Sequence, residues 1–397
     1  MFRVEALRCP VPDVLRTFLS REVSPSAAAV YARGGLFRVS VKHGHLWHSL
    51  VQHQWGEEKI MRFKTATAVV GALLMVATAA GCGTPAEQAS GTGTTRVAIV
   101  LGGQANDGGF NQSGADPLDV LAKEGKIVTQ VRQGADQRQA EAYFQQFASE
   151  GYDLVIGWSA TFSASLYKIS ADPKYAKTKF LITGDSGDKQ KTSANVETWN
   201  YDNLSYGYLL GWIAAHAQLS PIGIVDGEPL PAQKKKWQGF ALGVKAIQPN
   251  AEVREPVFIG SWKDALLANQ AATTQIGSGV RMIATNAEGF APGIASAAAA
   301  AGNVATIGMA PTTSPEATKV NIGRVKLDML ALMRQIIDRV KNGTFGNQTS
   351  TSSIANRSLI LDKITTVAAT PALPGDLQNR AQDLAQQIAD GKVKIGS

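Results

Sequence analysis

Histidine and cysteine are scarce, and their scarcity narrows the chemistry. The chain has two cysteines, Cys9 and Cys82, and five histidines, four of which (His43, His45, His48 and His53) fall within the first 60 residues. Cys9 stands alone and no ligand pair has the spacing of a closed zinc site, so no metal is expected. Past residue 81 only Cys82 remains, which excludes an intramolecular disulfide and leaves stability to a packed core. His216, the sole histidine of that part, falls inside a helical pattern, where a packed side chain is a better reading than a general base. Catalytic motifs are missing as well. There is no Walker A loop and no Gly-x-Ser-x-Gly elbow. Ser165-Leu166-Tyr167-Lys168 has the spacing of a serine–lysine nucleophile without the Ser-Asp-Asn and Lys-Thr-Gly segments that complete such a site. Nothing activates a nucleophile, so neither catalysis nor a cofactor is expected.

An excess of one charge is also lacking once the amino-terminal part is set aside. Of the 39 basic residues ten precede Cys82, and of the 32 acidic residues five do, which leaves 29 against 27 in the remainder. A nearly neutral domain with no Lys/Arg stripe interleaved with aromatics argues against a nucleic-acid partner. Lys234-Lys235-Lys236 is the only basic run. It is expected to be the solvated face of a helix start.

What is present begins with a targeting pattern. Met61-Arg62-Phe63-Lys64 is a short basic start, followed by an uncharged Ala/Val/Leu-rich stretch from Thr65 to Gly81 that ends Thr78-Ala79-Ala80-Gly81-Cys82. This reads as a secretory signal over 61–81. Its ending resembles a bacterial lipobox, in which the cysteine is acylated and becomes the mature amino terminus; the alternative is a plain membrane anchor, for which the segment is short. Residues 82–95 read as a flexible tether. Residues 1–60 precede the signal and are expected to be a disordered or untranslated leader.

The folded part opens with an apolar strand, Val97 to Leu101, that runs into Gly102-Gly103-Gln104-Ala105-Asn106-Asp107-Gly108-Gly109-Phe110-Asn111. Strand ends and helix starts present free N–H groups and a positive dipole, and glycines let backbone approach a ligand. Phe110 on such a loop reads as a stacking platform for a flat ligand, with a misplaced core residue as the alternative. Further strands are expected at Ile127 to Val131, Leu154 to Gly157, Phe180 to Thr183 and Val196 to Trp199. A second series is expected at Ile222 to Val225, Val253 to Ile259, Met282 to Thr285 and Val304 to Ile307. Helical patterns separate them, such as Gln137 to Ser149 and Ala232 to Ile247. Continuous apolar strands between helices indicate parallel sheets covered on both faces. The fold class is therefore α/β, with two Rossmann-like lobes: 96–200 plus about 311–343, and 201–310 plus about 344–397. A long helix is expected over Val325 to Lys341, then a strand at Ser358 to Leu361 and a helix from about Pro374 to Ala389. Elements of this kind after the second lobe predict a hinge crossed more than once, able to close the lobes as rigid bodies.

Four segments carry a family resemblance. Asn106-Asp107-Gly108-Gly109-Phe110-Asn111-Gln112 is similar to an Asp-x-x-Phe-Asn-Gln loop, and Tyr208-Leu209-Leu210-Gly211-Trp212-Ile213-Ala214-Ala215 to a Tyr-Leu-x-Gly-x-x-Ala-Ala helix. Gly239-Phe240-Ala241-Leu242-Gly243 and Gly260-Ser261-Trp262-Lys263-Asp264 are similar to Gly-Phe-x-x-Gly and Gly-Ser-Phe-x-Asp. In this order, behind a lipobox, they resemble the basic membrane protein (BMP) family of substrate-binding lipoproteins, which serve ABC importers and have the type I periplasmic-binding-protein fold. The resemblance implies a monomer anchored through Cys82 on the extracytoplasmic face of the membrane, which delivers a purine nucleoside or base to a permease and its ATPase. A sensor of the same fold, signalling to a membrane partner, is the alternative. It also implies that Phe110 and Trp262 hold the base, Trp262 standing where the family usually has Phe, with an interlobe core residue as its other reading. Polar partners are expected from Asp107, Asn111, Asp185, Trp158 and Ser159 on one side, and from Asn286 and Glu288 on the other; for Asp107 a helix cap is an equal reading. Lys326 matches the lysine of a Ser-x-x-Lys segment whose serine is here Gly323. Two departures affect specificity: Leu101 and Ala310 stand where nucleoside binders usually have aspartates. Ribose hydroxyls lose acceptors there, so a free base is as credible as a nucleoside.

Overall fold

The computed structural model describes residues 94–183, 192–286, 289–310, 313–370 and 373–396, together with 29–32 and 35–38. The last two stretches pair as an antiparallel hairpin, β1 (Ala29–Ala32) and β2 (Gly35–Arg38), within a unit Met1–Pro85 that is separate from Ala86–Ser397. The signal segment, Cys82 and most of the tether lie outside the described residues.

The larger unit opens with β3 (Thr95–Leu101), α1 (Phe110–Lys123), β4 (Ile127–Arg132), α2 (Gln137–Ser149), β5 (Leu154–Trp158), α3 (Ser163–Ser170), β6 (Lys179–Thr183) and β7 (Val196–Tyr201). The strand β3 shows why the sheet is covered on both faces. Its residues 97–101 are fully buried; Val97, Ile99 and Leu101 pack into one core with α1, while Ala98 and Val100 pack into another with α2 and α3. A period of two with apolar residues at both phases dictates two apolar layers. At the start of α2 a capping box fixes the chain: Gln139 N donates to Asp136 Oδ1 (2.8 Å) and Asp136 N donates to Gln139 Oε1 (3.0 Å).

After β7 the chain enters the second lobe through α4 (Asn203–Ala215), β8 (Ile222–Asp226), α5 (Pro231–Ile247), β9 (Val257–Phe258), α6 (Ala265–Gly277), β10 (Met282–Ala284), α7 (Ala291–Ala301), β11 (Ala305–Ile307) and α8 (Pro315–Val320). It continues through β12 (Val325–Leu327), α9 (Leu330–Lys341), β13 (Thr349–Ser352), β14 (Leu359–Leu361) and α10 (Leu377–Ala389). The first sheet has the order β13-β7-β6-β5-β3-β4 and the second β11-β10-β8-β9, both parallel throughout; β12 and β14 form a separate antiparallel ribbon. The doubly covered parallel sheets are as expected. Three local expectations are corrected.

The helix expected from Val325 is shorter, because Val325, Lys326 and Leu327 pair with Leu361, Ile360 and Leu359 as β12 before α9 begins at Leu330. The stretch Val253 to Ile259 is strand only at Val257–Phe258, with an isolated bridge at Val253; Pro256 between them has no N–H for a ladder. The lobe boundaries also move. Ala317 and Val320 of α8 pack in the core of the second lobe, so residues 313–327 stay with it, while β13 joins the first sheet beside β7. Thr349–Ser352 is too polar to read as a strand by hydrophobicity. A buried carboxylate holds it in place. Glu197 of β7, fully buried, accepts from Arg339 Nε, Gly346 N and Gln348 Nε2, each at 3.0 Å, and so binds α9 and the approach to β13 to the first lobe. The chain therefore crosses between lobes three times, after β7, between β12 and α9, and between β13 and β14.

The second lobe is braced by helix contact without side chains. A methyl added at Gly207 would collide with the Lys236 carbonyl, at Gly211 with that of Phe240, at Gly239 with that of Leu204, and at Gly243 with that of Tyr208. Four glycines at i, i+4 on α4 and α5 thus let the two backbones touch. This is the physical content of two of the sequence segments singled out above. Gly211→Ala is expected to push the helices apart and lower stability by about 1–3 kcal/mol or more, read as a lower denaturation midpoint in urea; an unchanged midpoint would contradict the close contact.

Candidate functional site

The glycine loop after β3 is shaped by one carboxylate. Asp107 Oδ1 accepts from Gly109 N (2.9 Å) and Gln112 N (3.0 Å), and Oδ2 accepts from Asn111 N (3.1 Å) and Asn111 Nδ2 (2.7 Å). Asn111 Oδ1 accepts from Gly103 N at 3.0 Å, and Gln112 Oε1 from Gly108 N at 2.9 Å. Asp107 thus caps the start of α1, and Asn111 braces the loop. Both side chains fix where Phe110 stands, and both also belong to the lining of the adjacent cavity.

Phe110 is half-buried and packs against the core of the first lobe. Its ring stacks on Trp158 (centroids 5.4 Å, 27°), Trp158 stacks on Trp199 (4.6 Å, 16°), and Trp199 lies 5.7 Å from Tyr201. The Trp158 indole N–H donates to the Phe110 carbonyl at 2.7 Å. Trp158 is itself fully buried; it backs the platform and belongs to the lining of the adjacent cavity. Ser159, the next residue, lines the same cavity, with its hydroxyl 2.9 Å from that of Thr161. Asp185 and Glu288 lie outside the described residues.

On the facing lobe Trp262 is half-buried against the core around Val225 and Ile283, and its ring covers Gly227, where a methyl would collide with it. Gly260, at φ 72°, makes the turn before it, and Asp264 caps α6 by accepting from Leu266 N (3.0 Å) and Leu267 N (2.9 Å). The Gly-Ser-Trp-Lys-Asp segment is therefore a turn, an aromatic and a cap. Lys326 is exposed on β12. A cavity of about 1360 Å³ runs between the lobes, and its walls include Phe110, Ser159, Tyr201, Lys236, Trp262 and Lys326. Arg324 joins its two sides: Nη1 donates to the Gly108 carbonyl at 2.7 Å while Nε donates to Asp362 Oδ2 at 3.0 Å.

Sequence reasoning missed the polar floor of this cavity. Lys234 and Lys235 are exposed as expected, but Lys236 is only 1% exposed. Gln233, Lys236, Trp237 and Phe240, at i, i+3, i+4 and i+7, form the buried face of α5, a spacing that could have found it. The Lys236 ammonium lies 4.4 Å from the Tyr206 ring centroid, 5.0 Å from that of Tyr201 and 3.4 Å from the Tyr201 hydroxyl. Near enough to feel its charge is Asp226 at the end of β8, fully buried, which accepts from Trp237 Nε1 (2.6 Å) and Gly227 N (2.8 Å). With its amide oxygen and nitrogen assigned so that each faces a complementary partner, the Asn286 carboxamide lies between the two, Nδ2 donating to Asp226 Oδ1 at 2.9 Å and Oδ1 accepting from Lys236 Nζ.

Burial pushes the Asp226 carboxyl from its ordinary 3.8 up to about 6, against the opposing pull of Lys236, Trp237 and the Gly227 amide. A raised folded-state value means that the folded protein holds a proton the unfolded chain has released. The associated stability is complete below pH 3.8 and is lost as pH rises through about 6. At 1.36 kcal/mol per pH unit this amounts to about 3 kcal/mol. Asp226→Asn is expected to abolish that slope, whatever it does to absolute stability by leaving Lys236 uncompensated. Urea titrations of both proteins from pH 4 to 7 check it, and parallel profiles would refute it.

Comparison with known proteins agrees with this geometry. Residues 94–370 match the family model described as ABC transporter substrate-binding protein PnrA-like. A solved ABC-transporter solute-binding protein from Conexibacter woesei DSM 14684 is 31% identical, with 76% of this chain and 98% of that one covered at a TM-score of 0.63. One from Aeropyrum pernix K1 has the same TM-score at 18% identity over 76% of this chain and 92% of the other, and shows the shared fold alone. The CD4+ T-cell-stimulating antigen of Listeria monocytogenes serovar 1/2a is 25% identical over 198 residues, 48% of this chain and 54% of that protein, so the chain spans about half the length of this curated relative. Given the family match over most of the folded part, the chain belongs to the PnrA-like family of ABC-transporter substrate-binding proteins.

Proposed function

We propose that this protein captures a small flat ligand, a purine nucleoside or nucleobase, in the interlobe cavity and delivers it to an ABC permease and its ATPase. In this reading it works as a monomer on the extracytoplasmic face of the membrane, held there by a lipid on Cys82. Among the described residues no helix is long and apolar enough to cross a membrane. The observation that carries the ligand class is the Phe110 platform. An aromatic held at a cavity wall by a capped loop, with its back on two stacked indoles, offers one flat face of fixed orientation. Trp262, on the wall belonging to the other lobe, supplies the second when the lobes close. Stacking suits any planar heterocycle and contributes ~1–3 kcal/mol per base.

Base and nucleoside differ in what the rest of the cavity must satisfy. Leu101 is fully buried in the first-lobe core and Ala310 is 5% exposed, so neither place offers an acceptor to ribose hydroxyls. Ser159 and Lys326 in the lining, with Asp185 and Glu288, are the remaining polar candidates.

A thermal-shift screen against purine bases, nucleosides, riboflavin, sugars and amino acids tests the reading, because a ligand that binds only the folded state raises its melting point. Purines are expected to give the shift, and Phe110→Ala or Trp262→Ala to weaken binding roughly 5- to 150-fold, the equivalent of ~1–3 kcal/mol. A shift with sugars or amino acids alone would leave the family assignment standing and overturn the purine reading.

A further inference from the structure

A bridge crosses the cavity with its two ends rooted in different lobes. Arg324 belongs to the second: Gly323, before it, accepts from Gly308 N at 2.7 Å, its own carbonyl accepts from Asp362 N at 2.9 Å, and Val325, after it, packs in that lobe's core. Gly108 belongs to the first, in the loop that Asp107 fixes and that Gly134 N holds by donating to the Gly103 carbonyl at 2.7 Å. The bond from Arg324 Nη1 to the Gly108 carbonyl joins positions 216 residues apart, and both residues line the cavity.

The guanidinium is set for a bond that can be made and broken. Its side chain is 16% exposed and donates through Nε to Asp362 Oδ2 at 3.0 Å. Parting the lobes would break one hydrogen bond to a backbone carbonyl and leave the charge paired; stranding a buried ion, the costly event, does not occur. Closing costs little ordering, because Asp362 already holds the side chain in position. A ligand on Phe110, two residues from Gly108, would lie beside the bridge and displace water from around it. A charge-assisted hydrogen bond that water does not reach is stronger than a hydrated one. Filling the cavity would thus strengthen a contact between the lobes, which is the differential interaction a ligand needs to shift a conformational equilibrium.

We propose that Arg324 is an interlobe latch, a positioning residue that holds the lobes closed over a bound ligand, with Asp362 as its anchor. The latch rests on the interlobe capture proposed above and does not depend on the class of ligand captured.

Two measurements on the full-length protein test it. Electron–electron distance measurements, with spin labels on non-canonical residues at the exposed Gln145 of α2 and Gln270 of α6, read the lobe separation. Stopped-flow tryptophan fluorescence with guanosine as the probe reads release. Arg324→Gln is expected to shift the ligand-free distances toward wider separations and to speed guanosine release about 10- to 100-fold, the range of a hydrogen bond to a charged group, while the association rate stays within about threefold. Arg324→Lys, which keeps the charge and loses the planar fork, is expected to restore closure in part. Asp362→Asn, which leaves the guanidinium without its anchor, is expected to act in the same direction by several-fold and serves as the test where Arg324→Gln fails to fold. A lower melting point with distances and release unchanged in both variants means a structural contact alone and overturns the latch. Distances that widen as expected in a protein to which guanosine does not bind uphold the latch and remove the purine reading.

Discussion

The indole of Trp158 is the piece on which the first wall of the cleft depends. Its ring stacks on Trp199 and on Phe110, which also lies 6.3 Å from Trp199 so that the three rings form one cluster, and its N–H is tied to the Phe110 carbonyl. Space for this exists because Gly114 in α1 has no side chain; a methyl there would collide with the indole ring. The strand end, the helix start and the platform are in this way set by a single buried side chain. Asp107 fixes the same loop from the solvent side, so Phe110 is constrained from below by packing and from the flank by four accepted hydrogen bonds. Rigid placement of the surface that meets a ligand lowers the entropy lost on binding.

The second wall follows a different design. Trp262 rests on the backbone at Gly227, and beneath the cavity lies a network of paired charges in place of stacked rings. One lobe thus offers a flat apolar surface and the other a polar floor with an aromatic at its edge. Arg324 spans the two, with its carboxylate partner on the β12–β14 ribbon and its acceptor, Gly108, in the loop that carries Phe110. The loop is therefore held by both lobes, although it belongs to one.

Much of the fold was legible in the sequence because it depends on patterns that sterics alone dictate. The run Val97 to Leu101 has apolar side chains at both phases of a strand, and only a doubly covered sheet buries both. What could not be read were elements whose reason lies far away in the chain. Thr349–Ser352 has no hydrophobic signature; it is a strand because Glu197 and Arg339 draw it to β7. Val325 to Leu327 fits a helical stripe and is turned into strand by Leu359–Leu361. At the site, Phe110 and Trp262 stood out as aromatics in glycine-rich segments. Lys236 was hidden in a basic run whose two other members are exposed, and its burial follows from helical phase and from the opposing charge of Asp226 ten positions upstream. Trp158 was legible as an aromatic at the right edge of the sheet, but not which way it points.

The three crossings between lobes also govern the order in which the structure can be made. Hydrogen bonds between Thr198 and Thr349 and from Trp199 to Ser352 join positions 151 and 153 residues apart, and α10 supplies Ala381 and Leu384 to the core of the second lobe. Neither lobe can close its core around a contiguous stretch of chain. A nascent chain that has already produced β3 through β11 still lacks the edge strand of one sheet and the covering helix of the other, and contacts of such long span slow folding. Both lobes therefore stay incomplete until the segment from β13 to α10 has been made, and the binding cleft between them with it.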